Sequence, residues 1–375
     1  MNYSVKVTVL GLYSAFALLS IISCASTEAP LEIKDHFIPL NRNLSGLDLS
    51  GAHLNHSELQ GADLHNCNLS RSYLNQSSLY YANLAGANLQ EATMVEADLH
   101  GCDLSGADLS GAFMPACNLM GSNLTGANLT GAYLPTSYLI GSNLNGADLS
   151  GSYLDQSYLD NSTLAGARLN RASLLAVKMS GINLNGAEFI DALMDRSTLQ
   201  KSQLIGANLT GASLIGSNLI DANLSQANLS QIDISESRCS RADFSGSRMV
   251  KSKLGYVNLT GANLSQADLS GSILTASILA GGDLSGTNLT GTKLENALMH
   301  NARLVEAILT GSNLARAHLE DADLSSCNLE HADVTGALLS GSNLTGASLL
   351  AARLLGADFS LAVMRNTELS GANLV

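Results

Sequence analysis

A single register of five residues runs through almost the whole chain. Stepping by five from Leu44 to Leu374 lands on an apolar residue at all 67 positions, with no insertion or deletion. Most are Leu, and the exceptions, among them Met94, Phe189, Ile234, Cys239 and Val334, remain apolar. Two residues before each comes a small one, nearly always Ala or Ser, with Leu47, Val177, Ile182, Ile232 and Val257 as larger departures. A helix repeats near 3.6 residues and a long strand near 2, so neither produces this pattern. One short extended edge does. Its small and large residues face inward with one outward residue between them, and the remaining two residues, often Ser-Gly or Thr-Gly, turn the corner. Such a unit cannot bury its Leu alone, so successive coils must stack and share a core.

The number of edges per coil follows from a longer repeat. AFMPACNLMGSNL (Ala112 to Leu124) and AYLPTSYLIGSNL (Ala132 to Leu144) are near-copies twenty residues apart, with Phe113 and Tyr133, Pro115 and Pro135, and Met120 and Ile140 in matching places. Charges give an independent test. At a separation of twenty there are eleven opposite-charge pairs and no like-charge pair; at fifteen there are four opposite and five like. Opposed like charges on neighbouring strands destabilise and unlike charges help, so twenty is the stacking distance and each coil has four sides.

Units such as ANLTG (Ala127 to Gly131) and ADLSG (Ala107 to Gly111) resemble the pentapeptide-repeat family, whose motif is A(D/N)LXX. The resemblance covers residues 44–375. It implies an all-β fold, a right-handed quadrilateral parallel β-helix of about 16 to 17 coils and, at ordinary strand spacing, a length of about 80 Å.

The N-terminus is different. Lys6 precedes the apolar run Val7 to Ser23 and then Cys24, the outline of an export signal. The segment IISC (Ile21 to Cys24) resembles the lipobox of bacterial lipoproteins, which implies removal of residues 1–23 and lipidation of Cys24. An uncleaved membrane anchor is the competing reading of the same apolar run, at the short end of a span. Residues 24–43, with Pro30 and Pro39, read as a spacer. Either way the repeats are expected outside the cytosol, in a bacterial cell envelope, and Ala25 after the Cys is similar to lipoproteins sent to the outer membrane of Gram-negative cells.

Nineteen basic and 32 acidic residues leave a net charge of −13, which argues against direct nucleic-acid binding, since phosphate neutralisation needs clustered Lys and Arg. Ten basic residues lie between Arg168 and Lys253, yet most have an acid one coil away. None of the eight His belongs to a metal-binding motif. Cys67, Cys102, Cys117, Cys239 and Cys327 occupy inward positions, and no two Cys stand twenty apart, so they read as compact apolar filler. No catalytic, cofactor or metal site is expected.

Outward residues sort into columns. Two of the columns are mainly Asn and Asp, which predicts side-chain ladders along the coils. The informative exceptions are aromatic: Tyr73, Phe113, Tyr133 and Tyr153 on one face, Tyr138 and Tyr158 on the next, with Pro115, Pro135, Met120 and Ile140 between or beside them. Clustered exposed aromatic and apolar groups mark interaction sites, and Ser72 to Ala167 carries eight acids and no Lys or Arg, which suits a basic protein partner. Cross-strand aromatic pairs also stabilise sheets without binding anything. Near the C-terminus Leu350, Leu355, Leu361 and Val363 fall at outward positions beside a bare sheet edge, which predicts pairing with a second copy. The expected function is that of a non-enzymatic, lipid-anchored scaffold for protein contacts. The family resemblance implies an alternative, a DNA-mimicking protein that binds DNA gyrase.

Overall fold

The computed structural model describes residues 43–374; Cys24 and the segment read as an export signal lie outside them. The chain divides into two compact units, Met1–Lys178 and Met179–Val375. Each is a right-handed, four-sided parallel β-helix in which outward residues bridge their counterparts twenty positions on, as in Asn123↔Asn143 and Asn223↔Asp243. One residue per side forms the bridge, because the chain turns a corner every five residues.

Accounting for one unit's amides shows why the repeat has this composition. In Asn123 to Ala127, Asn123 N donates to Cys102 O of the coil before at 2.9 Å, and Leu124 N to Asn143 O of the coil after at 2.6 Å. Gly126 N donates to Asn145 O and Ala127 N back to Leu124 O, both at 3.0 Å. The fifth amide, Thr125 N, donates to Asn123 Oδ1 at 3.2 Å. All five donors are satisfied, as a tightly folded backbone requires. The outward Asn or Asp is therefore first a turn cap.

The fourth residue of that stretch is always left-handed, with φ of 64° at Gly126. A left-handed backbone is cheapest for Gly, which explains the frequent Ser-Gly and Thr-Gly corners, but the position also holds β-branched Thr136 at φ 57° and Tyr81 at φ 59°. Neighbouring turns and the coil contacts hold these residues in place.

The large residues of the register form the core. Leu64 to Leu349 are buried almost throughout, and Phe189 and Phe244 are the largest fully buried side chains. The larger residues at small positions, Val177, Ile182, Ile232 and Val257, are buried as well, whereas Leu47 is half-buried. Inward Ser and Cys satisfy themselves on carbonyls: Ser142 Oγ donates to Leu139 O at 2.6 Å and Cys327 Sγ to Leu304 O at 2.7 Å. Most inward hydroxyls thus enter the apolar core with a partner, although Ser57, Ser247, Ser277 and Ser312 Oγ are buried without one.

Charge stacking takes the expected form at Arg71–Glu91, Asp148–Arg168, Asp221–Arg241, Asp233–Lys253, Asp283–Arg303 and Asp333–Arg353. Arg248 departs from it, since its Nη1 donates to Ser230 Oγ at 2.6 Å although the backbone bridges it to Asp268. Arg168, Arg241 and Lys253 of the apparent basic band between Arg168 and Lys253 are thereby paired with acids.

Candidate functional site

The Asn and Asp columns are ladders under one condition. Asn Nδ2 reaches the coil below where that coil offers Asp, as in Asn123→Asp103 and Asn128→Asp108, both at 3.0 Å. The same Asp Oδ1 accepts its own turn amide, Ser105 N→Asp103 Oδ1 at 3.0 Å. Asn143 stands over Asn123, and there Asn143 Oδ1 instead caps Asn145 N at 3.1 Å and takes the Thr163 hydroxyl at 3.1 Å. These columns are occupied by backbone capping and mutual bonding, which leaves the aromatic columns of the N-terminal unit as the distinctive surface.

The first aromatic column reads His53, Tyr73, Thr93, Phe113, Tyr133, Tyr153, each bridged to the next. Phe113 and Tyr133 stack with ring centroids 5.1 Å apart and planes 2° apart, and Tyr153 tilts against Tyr133 at 5.9 Å. Tyr73 does not join that stack. Thr93 separates it from Phe113, and it packs on His53 at 4.6 Å. The second column stacks Tyr138 on Tyr158 at 5.1 Å, and Lys178 Nζ lies 4.8 Å from the Tyr158 ring centre. Tyr153, half exposed at 50%, is the most open ring of the two columns. Tyr158, Pro115, Pro135 and Ile140 are half-buried, and Met120 is exposed. Stacking at coil spacing covers ring faces, so most of these rings offer solvent their edges and hydroxyls.

Pro115 and Pro135 form the corner between the two columns, and backbone chemistry accounts for both. An aromatic residue cannot cap the turn as Asn does. On this corner the amide is capped from one coil below, Asn75 N by Asn55 Oδ1 and Val95 N by Asn75 Oδ1, both at 2.9 Å. Val95 and Pro115 supply no side-chain acceptor to the next coil, and the residues one coil on, Pro115 and Pro135, have no amide to cap. The capping resumes at Asp155 Oδ1, which accepts Leu175 N at 3.0 Å. The prolines are therefore structural residues inside a candidate surface.

A second cluster was not singled out from the sequence. Tyr80 and His100 stack at 5.0 Å, and Tyr81 meets His100 edge-on at 5.0 Å. His100 Nδ1 is 2.7 Å from Asp98 Oδ1. The spacing of twenty between Tyr80 and His100 is the signal that could have found it. Tyr80, His100, Met120 and Ile140 occupy one corner column, at the far edge of the face that carries Tyr138 and Tyr158.

At the other end of the chain, Leu355 and Val363 are exposed and Leu361 reaches 89%, whereas Leu350 is half-buried and contributes less than its outward position suggests. The buried thiols are poor nucleophiles: burial pushes Cys102, Cys117, Cys239 and Cys327 up to about 12. Among the described residues no group of three or more His, Cys, Asp or Glu could hold a metal ion, and no helix is long and apolar enough to cross a membrane.

The pentapeptide-repeat family model matches the chain in overlapping stretches from 41–76 to 342–375. Among solved structures, HetL, a pentapeptide repeat protein involved in heterocyst differentiation regulation in the cyanobacterium Nostoc sp. strain PCC 7120, is 33% identical over 65% of this chain and 88% of its own, with a TM-score of 0.22. QnrB1, a plasmid-mediated fluoroquinolone resistance protein, is 20% identical over 54% of this chain and 93% of its own, TM-score 0.29. A pentapeptide repeat protein of the Arabidopsis thaliana thylakoid lumen is 33% identical over 26% of this chain and 61% of its own, TM-score 0.16. A search of curated proteins found no match. With the repeat matched from residue 41 to residue 375 and each coil closing after twenty residues, the chain belongs to the pentapeptide-repeat family.

Proposed function

We infer that this protein is a non-enzymatic, exported and lipid-anchored scaffold whose N-terminal unit presents its aromatic columns to a basic protein partner. The observation that supports the reading most is the co-location of Phe113, Tyr133, Tyr153, Tyr138 and Tyr158 on two adjoining faces, in a stretch that lacks Lys and Arg from Ser72 to Ala167. Edge-presenting tyrosines offer hydroxyls and apolar area with few rotamers to freeze, the properties that enrich Tyr at protein contacts. Replacing Tyr133, Tyr138, Tyr153 and Tyr158 together by Ser is expected to abolish recovery of a cross-linked partner while the circular-dichroism spectrum is unchanged. Undiminished recovery from the quadruple variant rejects the surface.

Anchoring is proposed at Cys24. Cells given labelled fatty acid are expected to transfer label to the native protein and not to Cys24→Ala, with the protein in the membrane fraction. Label retained on the variant, or a cytosolic native protein, rejects the anchor and favours the gyrase-binding alternative, whose target is cytosolic. A contact between two copies is proposed through Leu355, Leu361 and Val363; a strictly monomeric mass at micromolar concentration rejects it.

A further inference from the structure

The column that starts at His53 is missing one ring. Tyr73 is stacked on His53 and Phe113 on Tyr133, but between them stands Thr93. The faces that Tyr73 and Phe113 turn away from their own partners therefore look toward each other across the Thr93 coil. Two coils span about 10 Å, so one planar group placed between them stands roughly 5 Å from each ring, the usual stacked separation. Tyr73 and Phe113 are 41% and 43% exposed, so the gap is open to solvent at its outer side.

Three further observations select the chemistry of that group. Thr93 Oγ1, on the side that separates the two rings, is buried and has no hydrogen-bond partner, so a donor that enters the gap meets an unsatisfied acceptor once the Thr93 side chain turns toward it. The side that carries Thr93 is bounded at its two corners by Glu91 and Glu96. Glu91 is paired with Arg71 at 2.8 Å, whereas Glu96 accepts from the uncharged amide of Gln76 at 2.8 Å. In the adjoining column Lys178 already lies against the Tyr158 ring, so an aromatic stack in this unit does end on a cation. A guanidinium is planar, weakly hydrated, rich in N–H donors and stacks on aromatic faces; an ammonium has no plane to insert.

We propose that the gap between Tyr73 and Phe113 receives the guanidinium of an arginine on the protein partner, completing the stack over Thr93 with Glu96 as counter-charge. The proposal rests on the reading of the aromatic columns as a contact surface and names the side chain they recognise. The full-length protein is titrated with N-acetyl-arginine amide and, separately, N-acetyl-lysine amide at equal ionic strength, following the ring resonances of Tyr73 and Phe113 by NMR. Arginine amide is expected to shift both rings and lysine amide neither. Thr93→Tyr, which fills the gap with a ring of the protein's own, is expected to lose the response with the core methyl spectrum unchanged. Glu96→Gln, which leaves every ring in place, is expected to weaken it. Equal shifts with both amides, no shift with arginine amide, or a full response in Thr93→Tyr or Glu96→Gln overturns the proposal. The quadruple tyrosine variant keeps both rings of the gap, Tyr73 and Phe113, although Phe113 loses its Tyr133 partner; a Thr93→Tyr protein that still recovers the partner sinks the arginine slot alone, whereas a quadruple variant that does so sinks the surface.

Discussion

Gly101 and Gly106 allow one surface contact to be measured free of backbone effects. Both sit at left-handed corners, φ 66° and 63°, so replacing either by Ala imposes a similar strain of about 1 to 2 kcal/mol and the same loss of unfolded-chain freedom. They differ in what surrounds them. A Cβ at Gly106 meets nothing within 4 Å, whereas one at Gly101 overlaps the Tyr81 ring. Tyr81 is 67% exposed and can swing aside, at the cost of its edge contacts with Tyr80 and His100 at 5.8 and 5.0 Å. Such ring contacts are worth about 0.5 to 1.5 kcal/mol, so Gly101→Ala is expected to destabilise its corner by that much more than Gly106→Ala. Native-state hydrogen exchange suits a solenoid, whose coils open locally. The amides to follow are Tyr81 N, bonded to His100 O at 2.9 Å, and Gly101 N, bonded to Met120 O at 2.9 Å. In a Tyr81→Ala background the difference between the two glycine variants is expected to vanish. Equal effects in the native background, or a difference that survives without Tyr81, refutes the reasoning.

Phe244→Ala removes one of the largest buried side chains from the C-terminal unit and is expected to cost about 3 to 5 kcal/mol, read as faster exchange of the amides of that coil and its neighbours. Burial raises the Asp148 carboxyl, but the Ser150 hydroxyl and amide and then Arg168 outweigh it, so the group lies below its ordinary range. A carboxylate depressed in the fold stabilises above its unfolded value of about 3.9 and loses that stabilisation as pH falls through its folded value; Asp148→Asn is expected to flatten this acid limb, and an unchanged limb counts against it. Cys102, Cys117, Cys239 and Cys327, buried and pushed up to about 12, are expected to resist iodoacetamide at pH 8 until denaturant is added; labelling of any of them in the native protein contradicts the buried assignment.

The aromatic surface was only partly legible in the sequence. The spacing of twenty placed Tyr133 over Phe113 and Tyr158 over Tyr138, and the structure stacks those pairs. It gave no account of Pro115 and Pro135, because their cause is an acceptor missing one coil away at Val95 and Pro115, a relation between residues that only coil stacking brings together. The same holds for Arg248, which reaches Ser230 eighteen positions back and not Asp268 twenty ahead: register fixes which backbones lie side by side, while a long side chain has several partners in reach and rotates to one of them.

By itself the sequence determined the four-sided coil, the inward Leu and its small companion, and the stacking distance, since period, burial and charge pairing all constrain the same backbone repeat. Tertiary structure alone decided which faces of the stacked rings are covered, which Asn caps a turn and which also bonds to the coil below, and where a column lacks a ring. These depend on side-chain rotamers chosen among neighbours from different coils, and a repeat read along the chain carries no information about that choice.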